Sequence, residues 1–497
     1  VPAGDAVKTD PPAGEQAEVG STVTLTTSKG PKQVTVPNIV GLAEVDAQTA
    51  ITDAELKVGA RAEAENEAPA GTVVDQSPAE GTVLDKDSTV DYTVSTGPAI
   101  EPMGLGGDLE DNEVIGQLDL VAFETEGVRE LELEPTPYDD AGERQQVLAL
   151  AERIGILRAV DAIKAEEQAL KRLGLLDSGD DLEGLLEQLY GQALPLAYLE
   201  NENHLSVLDS IDKLDAGQRA EAAREFGRAM NLQRQGAAAA RVDDKSNGDK
   251  ALAVMAVEQG DGTATMLEWS AAHGNKNKTN EVIVPGASGV YESMPLLLQR
   301  EYSLPFLEGR IFVDRLREGG GWDAVNGIWD RMPESTEQIL HPKLYPTDRP
   351  TTIGLDDVAD RLGSGWKEKW QQTMGELRIG VWLANGQPGE QSGPKAAVKL
   401  PNANAAAGWG GDRLVSLSGP DGQWAIVWQV TWDSEKDRGQ FVDAAVPVID
   451  GIDGVGVVTI ADVSGGLSAP AAVLIASGDD TLASVAEALG LELSSAE

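Results

Sequence analysis

The residues best suited to chemistry in this chain lie close together on one predicted helix, residues 216–240. Arg224, Glu225 and Arg228 are spaced so that they share one face of that helix. When histidines occupy the first and last of these positions, and a second helix adds a third ligand, the result is an open zinc site. A glutamate beside the first histidine then acts as general base on the metal-bound water. The spacing is therefore typical of metal-assisted hydrolysis.

The residue types at these positions do not fit that chemistry. The guanidinium groups of Arg224 and Arg228 stay protonated at ordinary pH and repel a dication. Glu225 keeps the general-base position without a metal-activated water to deprotonate. We therefore predict a degenerate site with no bound metal, no cofactor and no catalytic residue.

Two interpretations of the arginine pair remain open from the sequence. In the first, Arg224 and Arg228 form an anion-binding fork in a cleft, where Glu225 also contacts a ligand or a protein partner. In the second, they belong to an ordinary charged helix face, with Glu225 and Arg228 paired three residues apart. The two interpretations differ in whether the guanidinium groups are available to a ligand.

Composition excludes several classes of protein. The 497 residues include 83 acidic and 39 basic side chains, for a formal net charge of −44. This excess disfavours binding to nucleic acid or to anionic lipid. The absence of cysteine excludes disulfides and thiol catalysis, and only three histidines are present. Of these, we expect His204 and His273 to lie in exposed loops.

The N-terminal part of the chain contains a repeat. Residues 1–31 match residues 68–98 at a constant offset, with glycines, prolines and apolar residues aligned without a gap. Residues 1–31 are therefore the second half of a repeat, and residues 32–98 form a whole one. Within the whole repeat, the pattern predicts a helix near 44–54 and three strands near 57–63, 72–76 and 88–95.

The repeat resembles the PASTA family. The residues that carry the resemblance are the opening Val36-Pro37-Asn38-Ile39-Val40-Gly41, then Pro69-Ala70-Gly71, Ser77-Pro78 and the closing Thr89-Val90. PASTA modules occur in the extracellular regions of bacterial Ser/Thr kinases and penicillin-binding proteins, where they are associated with peptidoglycan. The resemblance implies a cell-wall setting, in which the modules either bind muropeptides or serve only as a stalk.

Composition and periodicity change along the rest of the chain. Helical spacing dominates from about residue 143 to 272, whereas the last third mixes strands and helices. The helices predicted here include 146–175, 180–199, 249–272, 435–445 and 480–489. The strands predicted here are 376–384, 413–419, 423–431, 455–460 and 471–476.

The predicted domains are a half repeat at 1–31, a whole repeat at 32–98, a linker at 99–113, a large region at 114–446 and a C-terminal α/β segment packed on it at 447–497.

The large region resembles a gluzincin-type group of bacterial and archaeal zinc-metallopeptidase-like proteins. Its helix 216–240 is similar to their H-E-x-x-H-A-L-x-x-Q helix, with arginine at both histidine positions. Residues 256–263 resemble the group's A-L-x-E-G-D-A-T, which supplies its third ligand. The resemblance implies that this ligand position falls on Glu258 or Gln259, and the sequence leaves these two open. Further signatures resemble residues 335–342 with Tyr345, residues 408–413, and Trp432-Asp433. The resemblance spans about 115–450 and implies a catalytically degenerate domain.

The segment 335–342 adds two ligand-binding candidates, Glu337 and His341. His341 is expected either to form hydrogen bonds within a buried loop or to contact a ligand. Because these residues belong to a signature of the resembling group, we keep them together with Arg224, Glu225 and Arg228 as the candidate site residues.

These observations define the expected protein. Its fold class is α+β and multidomain: small α+β PASTA modules, a mostly helical metallopeptidase-like domain and a mixed α/β C-terminal part. The expected function is an extracellular, cell-surface binding or sensor protein with peptidoglycan or muropeptides as partner, and not an enzyme. The alternatives are a hydrolase with an unrecognised site and a structural spacer or scaffold. Because the chain starts at Val1 without a targeting segment, we expect any membrane anchor, kinase or transpeptidase domain to lie upstream.

Overall fold

The computed structural model divides the chain into two compact units, Val1–Leu105 and Gly106–Glu497. Among the residues it describes, no helix is both long enough and apolar enough to cross a bilayer. The described residues are 1–64, 66, 68, 71–95, 113–140, 162–190, 196–199, 203–207, 211, 213–236, 242, 244–273, 289–355, 357–384, 400, 402–460, 470–491 and 493.

The N-terminal unit contains one helix packed against a small sheet. Its elements are β1 (Ala6–Asp10), β2 (Thr24–Thr27), β3 (Gln33–Thr35), α1 (Glu44–Asp53), β4 (Lys57–Ala64), β5 (Val73–Ser77), β6 (Val83–Asp85) and β7 (Thr89–Ser95). β7 is the central strand of a three-stranded sheet, parallel to β4 and antiparallel to β5. Alternating residues of β7 and one face of α1 form the core, because both elements are apolar on the side where they meet. The buried core residues are Val36, Ile39, Ala47, Ile51, Leu56, Val73, Val90, Tyr92 and Val94.

The short β3–β6 ladder was not predicted from the sequence. Residues 1–31 form only the β1–β2 hairpin, and none of them is buried. The half repeat therefore has strands but no core of its own, whereas the whole repeat has strands and a core.

We expect a fragment of residues 32–98 to fold by itself, because its core is made entirely by residues within that range. Circular dichroism should show mixed helix and strand content with one cooperative thermal transition. A peptide of residues 1–31 is the matched control and should show neither, since none of its residues is buried. An unfolded 32–98 fragment would contradict the assignment of this range as an independent module.

The large unit is helical in its first half. Its helices are α2 (Glu113–Arg129), α3 (Ile163–Arg172), α4 (Leu182–Tyr190), α5 (Ala216–Gln235), α6 (Gly248–His273), α7 (Val290–Ser293), α8 (Leu296–Asn326), α9 (Thr336–Leu340), α10 (Val358–Leu362), α11 (Gly375–Leu383), α12 (Glu435–Ile449) and α13 (Asp479–Leu489). Helices α6 and α8 cross at Gly260 and Gly309. A Cβ at Gly309 would lie 2.2 Å from the carbonyl oxygen of Ala256, so only glycine permits this approach.

Two sheets are present among the described residues of the large unit. A three-stranded sheet has the order β8-β10-β9, and a five-stranded sheet has the order β11-β12-β13-β15-β14. The strands are β8 (Tyr138–Asp140), β9 (Leu196–Leu199), β10 (His204–Val207), β11 (Lys367–Gln372), β12 (Trp409–Ser418), β13 (Trp424–Trp432), β14 (Val455–Ile460) and β15 (Ala471–Ala476). His204, expected in an exposed loop, is buried in β10.

The predicted strand at 376–384 is wrong, because residues 375–383 form helix α11 and the strand lies earlier, at 367–372. Every residue of α11 is buried, so its apolar pattern shows neither the helix nor the strand period. The carboxylate of Asp412 accepts hydrogen bonds from the backbone N–H groups of Met374 and Gly375, each at 2.9 Å, and so caps the helix start. That capping group is 37 residues away in sequence.

Several predicted helices and domain boundaries differ in their bounds from the observed elements. Within the predicted helix 180–199, residues 182–190 form helix α4, residues 191–195 lie outside the described residues, and residues 196–199 form strand β9. Helix α2 was not predicted, and it begins at residue 113, the last position of the predicted linker 99–113. The other linker residues, 99–112, lie outside the described residues. Residues 146–161 of the predicted helix 146–175 also lie outside them. The boundary at 446/447 falls inside α12, and β15 pairs with β13 in one sheet, so 447–497 is not a separate segment.

Candidate functional site

Helix α5 is fixed at its start by a reciprocal cap. The side chain of Asp215 accepts hydrogen bonds from the backbone of Gly217 and Gln218, and the Gln218 side chain accepts one from the backbone of Asp215. From this start, one face of the helix turns toward β9 and α6. Arg224 and Arg228 lie on that face and are only 1% and 9% exposed, respectively.

The two arginines and three glutamates form a buried network, which we call the arginine–glutamate network: Glu221, Arg224, Glu225, Arg228 and Glu258. Arg224 Nη2 donates to Glu221 and lies 3.0 Å from Glu225 Oε1. Arg228 Nη1 lies 2.5 Å from Glu225 Oε2, and its Nε lies 2.9 Å from Glu258 Oε1. With every group ionised, three carboxylates face two guanidinium groups.

Neighbouring elements hold the network in place. The backbone N–H of Tyr198 in β9 donates to Glu225 Oε2 at 2.9 Å. The Arg224 guanidinium lies 5.4 Å from the centre of the Phe306 ring. On α6, a Cβ at Gly262 would approach Arg228 Cγ to 2.8 Å, so the glycine leaves space for the arginine stems.

This geometry decides several points that the sequence left open. Of the two candidates for the third position, Glu258 contacts Arg228, whereas Gln259 is half-buried and lies outside the network. The predicted Glu225–Arg228 pair is present, but the residues are buried and do not form a solvated helix face. An anion-binding fork is disfavoured because an incoming anion would meet three carboxylates. Burial also leaves no cleft surface for a protein partner at Arg224.

The network does not fit a zinc ion. The guanidinium groups of Arg224 and Arg228 offer only N–H donors, and they bind the oxygens of Glu225 and Glu258 that a metal would need. Within the described residues, no group of three or more histidine, aspartate and glutamate side chains is arranged to hold a metal ion.

The other two candidates, Glu337 and His341, lie in a second acidic group. We call it the Glu337 cluster: Glu337, His341 and Glu376, with Asp348 and Asp433 nearby. Glu337 is 0% exposed, and no described group donates a hydrogen bond to either of its carboxylate oxygens. Burial, and then the carboxylates of Glu376, Asp348 and Asp433, raise the pKa of Glu337 to about 10. Glu337 is therefore protonated at neutral pH.

His341 connects this cluster to solvent. Its side chain is 44% exposed, and its Nε2 lies 2.9 Å from Glu376 Oε1. The hydrogen bond to Glu376 raises the pKa of His341, and burial raises the pKa of Glu376. His341 thus forms a hydrogen bond as expected, but from an exposed position and not within a buried loop.

The signature segments from the sequence meet in this part of the fold. Asp249, at the start of α6, accepts hydrogen bonds from the backbone and hydroxyl of Thr336, and burial raises the pKa of Asp249 to about 7. Asp412 accepts hydrogen bonds from the indole N–H groups of Trp409 and Trp428, at 3.0 and 2.9 Å, in addition to the two backbone groups of α11. Burial raises the pKa of Asp412 despite these four donors. The segments 335–342 and 408–413 therefore share one buried polar region.

Sequence reasoning missed Glu376, Asp249 and a second buried ion pair. Arg129 Nη2 lies 3.2 Å from Asp261 Oδ2, both side chains are fully buried, and the Arg129 guanidinium lies 3.9 Å from the centre of the Trp322 ring. A signal for Asp261 was present, since the segment 256–263 that resembles a ligand motif contains it. No comparable signal marks Arg129 or Glu376.

Two families match parts of the chain. Residues 34–96 match the PASTA domain, and residues 361–489 match a domain of unknown function, DUF8575. The first match confirms the predicted PASTA module. The second carries no known activity and gives the metallopeptidase resemblance no support.

The curated relatives are similar to this chain over a short stretch. A probable serine/threonine-protein kinase of Corynebacterium efficiens is 38% identical over 96 residues, 19% of this chain and 14% of the relative. A kinase of the same description from Bifidobacterium longum, pknA2, is 34% identical over 125 residues, 25% of this chain and 16% of the relative. The serine/threonine-protein kinase PrkC of Bacillus subtilis is 38% identical over 93 residues, 18% of this chain and 14% of the relative. The chain thus spans about a seventh of the length of these relatives.

Among solved structures, the three-PASTA-domain structure of a Ser/Thr kinase from Staphylococcus aureus is 30% identical, covering 19% of this chain and 48% of that chain, with a TM-score of 0.16. The similarity of this chain to bacterial Ser/Thr kinases rests on the sequence matches to the curated relatives.

Proposed function

We propose that this chain belongs to an extracellular bacterial protein that contacts the cell wall through its PASTA module and carries a large unit without peptidase activity. The observation that carries the proposal is the PASTA match at residues 34–96, together with the similarity of this part to Ser/Thr kinases. The proposed partner is peptidoglycan or its muropeptide fragments, and the proposed role is binding or sensing, as in a kinase ectodomain.

The charges on the module indicate where a muropeptide carboxylate would bind. Lys32 and Lys86 both pair with Glu55, and Arg61 pairs with Glu44 and Glu63. Lys57, at the start of β4, is exposed and has no ion-pair partner among the described residues. It is therefore the cation of residues 32–98 that is most available to an acidic peptide stem.

Titration of the ¹⁵N-labelled chain with a muropeptide panel tests wall binding. We expect chemical shift changes confined to residues 32–98, and a several-fold weaker affinity in Lys57→Gln. Lys436→Gln, which removes an exposed lysine from the large unit, is the matched control and should bind like the wild type. An absence of shift changes with every muropeptide would leave only the stalk interpretation.

The absence of peptidase activity is proposed because two arginines occupy the ligand positions of the resembling zinc proteins and are already bound to carboxylates. We expect no stoichiometric zinc by mass spectrometry of the purified chain and no cleavage of general peptide substrates. One equivalent of tightly held zinc would overturn this part of the proposal without affecting the part on wall binding.

A further inference from the structure

A polar cavity of about 300 Å³ lies at the start of α6. Its walls are formed by the first turn of α6 and the residues before it, by the segment 350–354, and by the start of β12. Trp409, Gly411, Asp412 and Arg413 contribute one wall, and they belong to a segment that the sequence analysis singled out and that the proposed function leaves without a role. Its volume is at the lower end of the range of small-molecule sites in proteins.

Two cations line this cavity. Lys250 is half-buried in the first turn of α6, where the helix dipole disfavours a positive charge, and no described carboxylate pairs with it. Arg413 is held by two hydrogen bonds, from Nη1 and Nη2 to the carbonyl and hydroxyl oxygens of Ser246, both at 2.9 Å. These bonds orient the guanidinium while its remaining N–H groups stay available. A fixed arginine and an unpaired lysine in one cavity are suited to an anionic group.

Acidic side chains lie in the same cavity. Asp244 is exposed there, and Glu334 is half-buried and pairs with Arg349 at 2.8 Å. The carboxylate oxygens of Asp412 already accept four hydrogen bonds from the protein, so they are not available as acceptors for a ligand. A dianion such as phosphate would meet these carboxylates as well as the net charge of −44. A ligand with one carboxylate and one ammonium group can place its carboxylate near the two cations and its ammonium group near the acidic side chains.

We propose that this cavity binds a short zwitterionic peptide, with Lys250 and Arg413 holding its terminal carboxylate and with Asp244 and Glu334 facing its ammonium group. The proposal concerns the large unit alone, and it does not depend on wall binding by residues 32–98. The four side chains act as binding residues, and the proposal includes no chemical step.

Isothermal titration of the full chain with alanyl-alanine tests this proposal. We expect binding that weakens about tenfold or more in Lys250→Gln, and to a similar extent when the dipeptide is replaced by its C-terminal amide. Arg413→Lys keeps the charge but loses the oriented fork, so it should also weaken binding. Lys436→Gln removes the same charge from an exposed position and should bind the dipeptide as the wild type does.

Two results would overturn the proposal. One is the absence of detectable binding at an alanyl-alanine concentration of about 10 mM. That concentration is ten times a dissociation constant of about 1 mM, the weakest affinity that we expect of a specific small site. The other is binding of inorganic phosphate as tight as that of the dipeptide and equally sensitive to Lys250→Gln, since the site would then select anions in general. Because Lys250 is half-exposed, Lys250→Gln should keep the wild-type melting temperature, which confirms that a loss of binding is not a loss of fold.

Discussion

Replacing Arg228 by methionine should lower the free energy of unfolding of the large unit by about 3–5 kcal/mol. The substitution removes the guanidinium that lies between Glu225 and Glu258. It leaves the buried carboxylate of Glu258 without its arginine, and it leaves Glu225 with Arg224 alone. Methionine keeps the apolar stem that packs near Gly262, so the loss of packing is small. Urea unfolding followed by tryptophan fluorescence measures the change in the large unit, because every tryptophan lies there.

The matched control for this prediction is Arg361→Met. Arg361 pairs with Asp357 on the surface, at 2.6 Å and with both side chains about half exposed, so its loss should cost under about 1 kcal/mol. A second variant, Arg228→Met with Glu258→Gln, also removes the carboxylate that lost its arginine and should recover part of the loss. Equal effects of Arg228→Met and Arg361→Met would mean that the network is hydrated and not buried.

Replacing Glu337 by glutamine should stabilise the protein at pH 8 by about 2–4 kcal/mol and should flatten its pH dependence. The pKa of Glu337 is about 10 in the folded protein, against an ordinary value of 4.5, so folding takes up a proton throughout the range between them. The stabilisation from the bound proton is fully present below pH 4.5 and is lost as the pH rises toward 10. Glutamine needs no proton, so it avoids this loss.

The measurement is the free energy of unfolding at several pH values from 5 to 8. We expect the advantage of Glu337→Gln to grow with pH by about 1.4 kcal/mol per unit. Glu487→Gln, an exposed glutamate on α13, is the control and should follow the wild-type curve. If Glu337→Gln is less stable than the wild type at pH 8, the fold requires a charged carboxylate at this position.

The parts of the structure that local spacing determines were predictable. The offset repeat and its turn residues defined the PASTA module, and spacing along α5 placed Arg224, Glu225 and Arg228 on one face. Spacing alone could not choose between Glu258 and Gln259, because one residue is a rotation of about 100° around a helix. The choice depends on the crossing of α5 and α6, which tertiary packing sets.

Other features depend on residues far apart in sequence. Glu376 was not found because the buried segment 375–383 has no periodicity, and its helix start is capped by Asp412 from another element. The burial of Glu337 beside other carboxylates likewise follows from how α9 and α11 pack, and its own sequence context does not reveal it. The half-exposed position of His341 depends on the same packing.

The long-range contacts also bear on the order in which the protein matures as it is synthesised. The Arg129–Asp261 pair joins residues 132 positions apart, and the bond from Trp382 Nε1 to the carbonyl of Leu173 spans 209. A chain that emerges from its N-terminus cannot close the first of these contacts before residue 261 has been made, or the second before residue 382, whereas residues 32–98 already contain their whole core. The PASTA module can therefore fold while the rest is still being synthesised. The buried arginines of the large unit stay hydrated until their partners arrive.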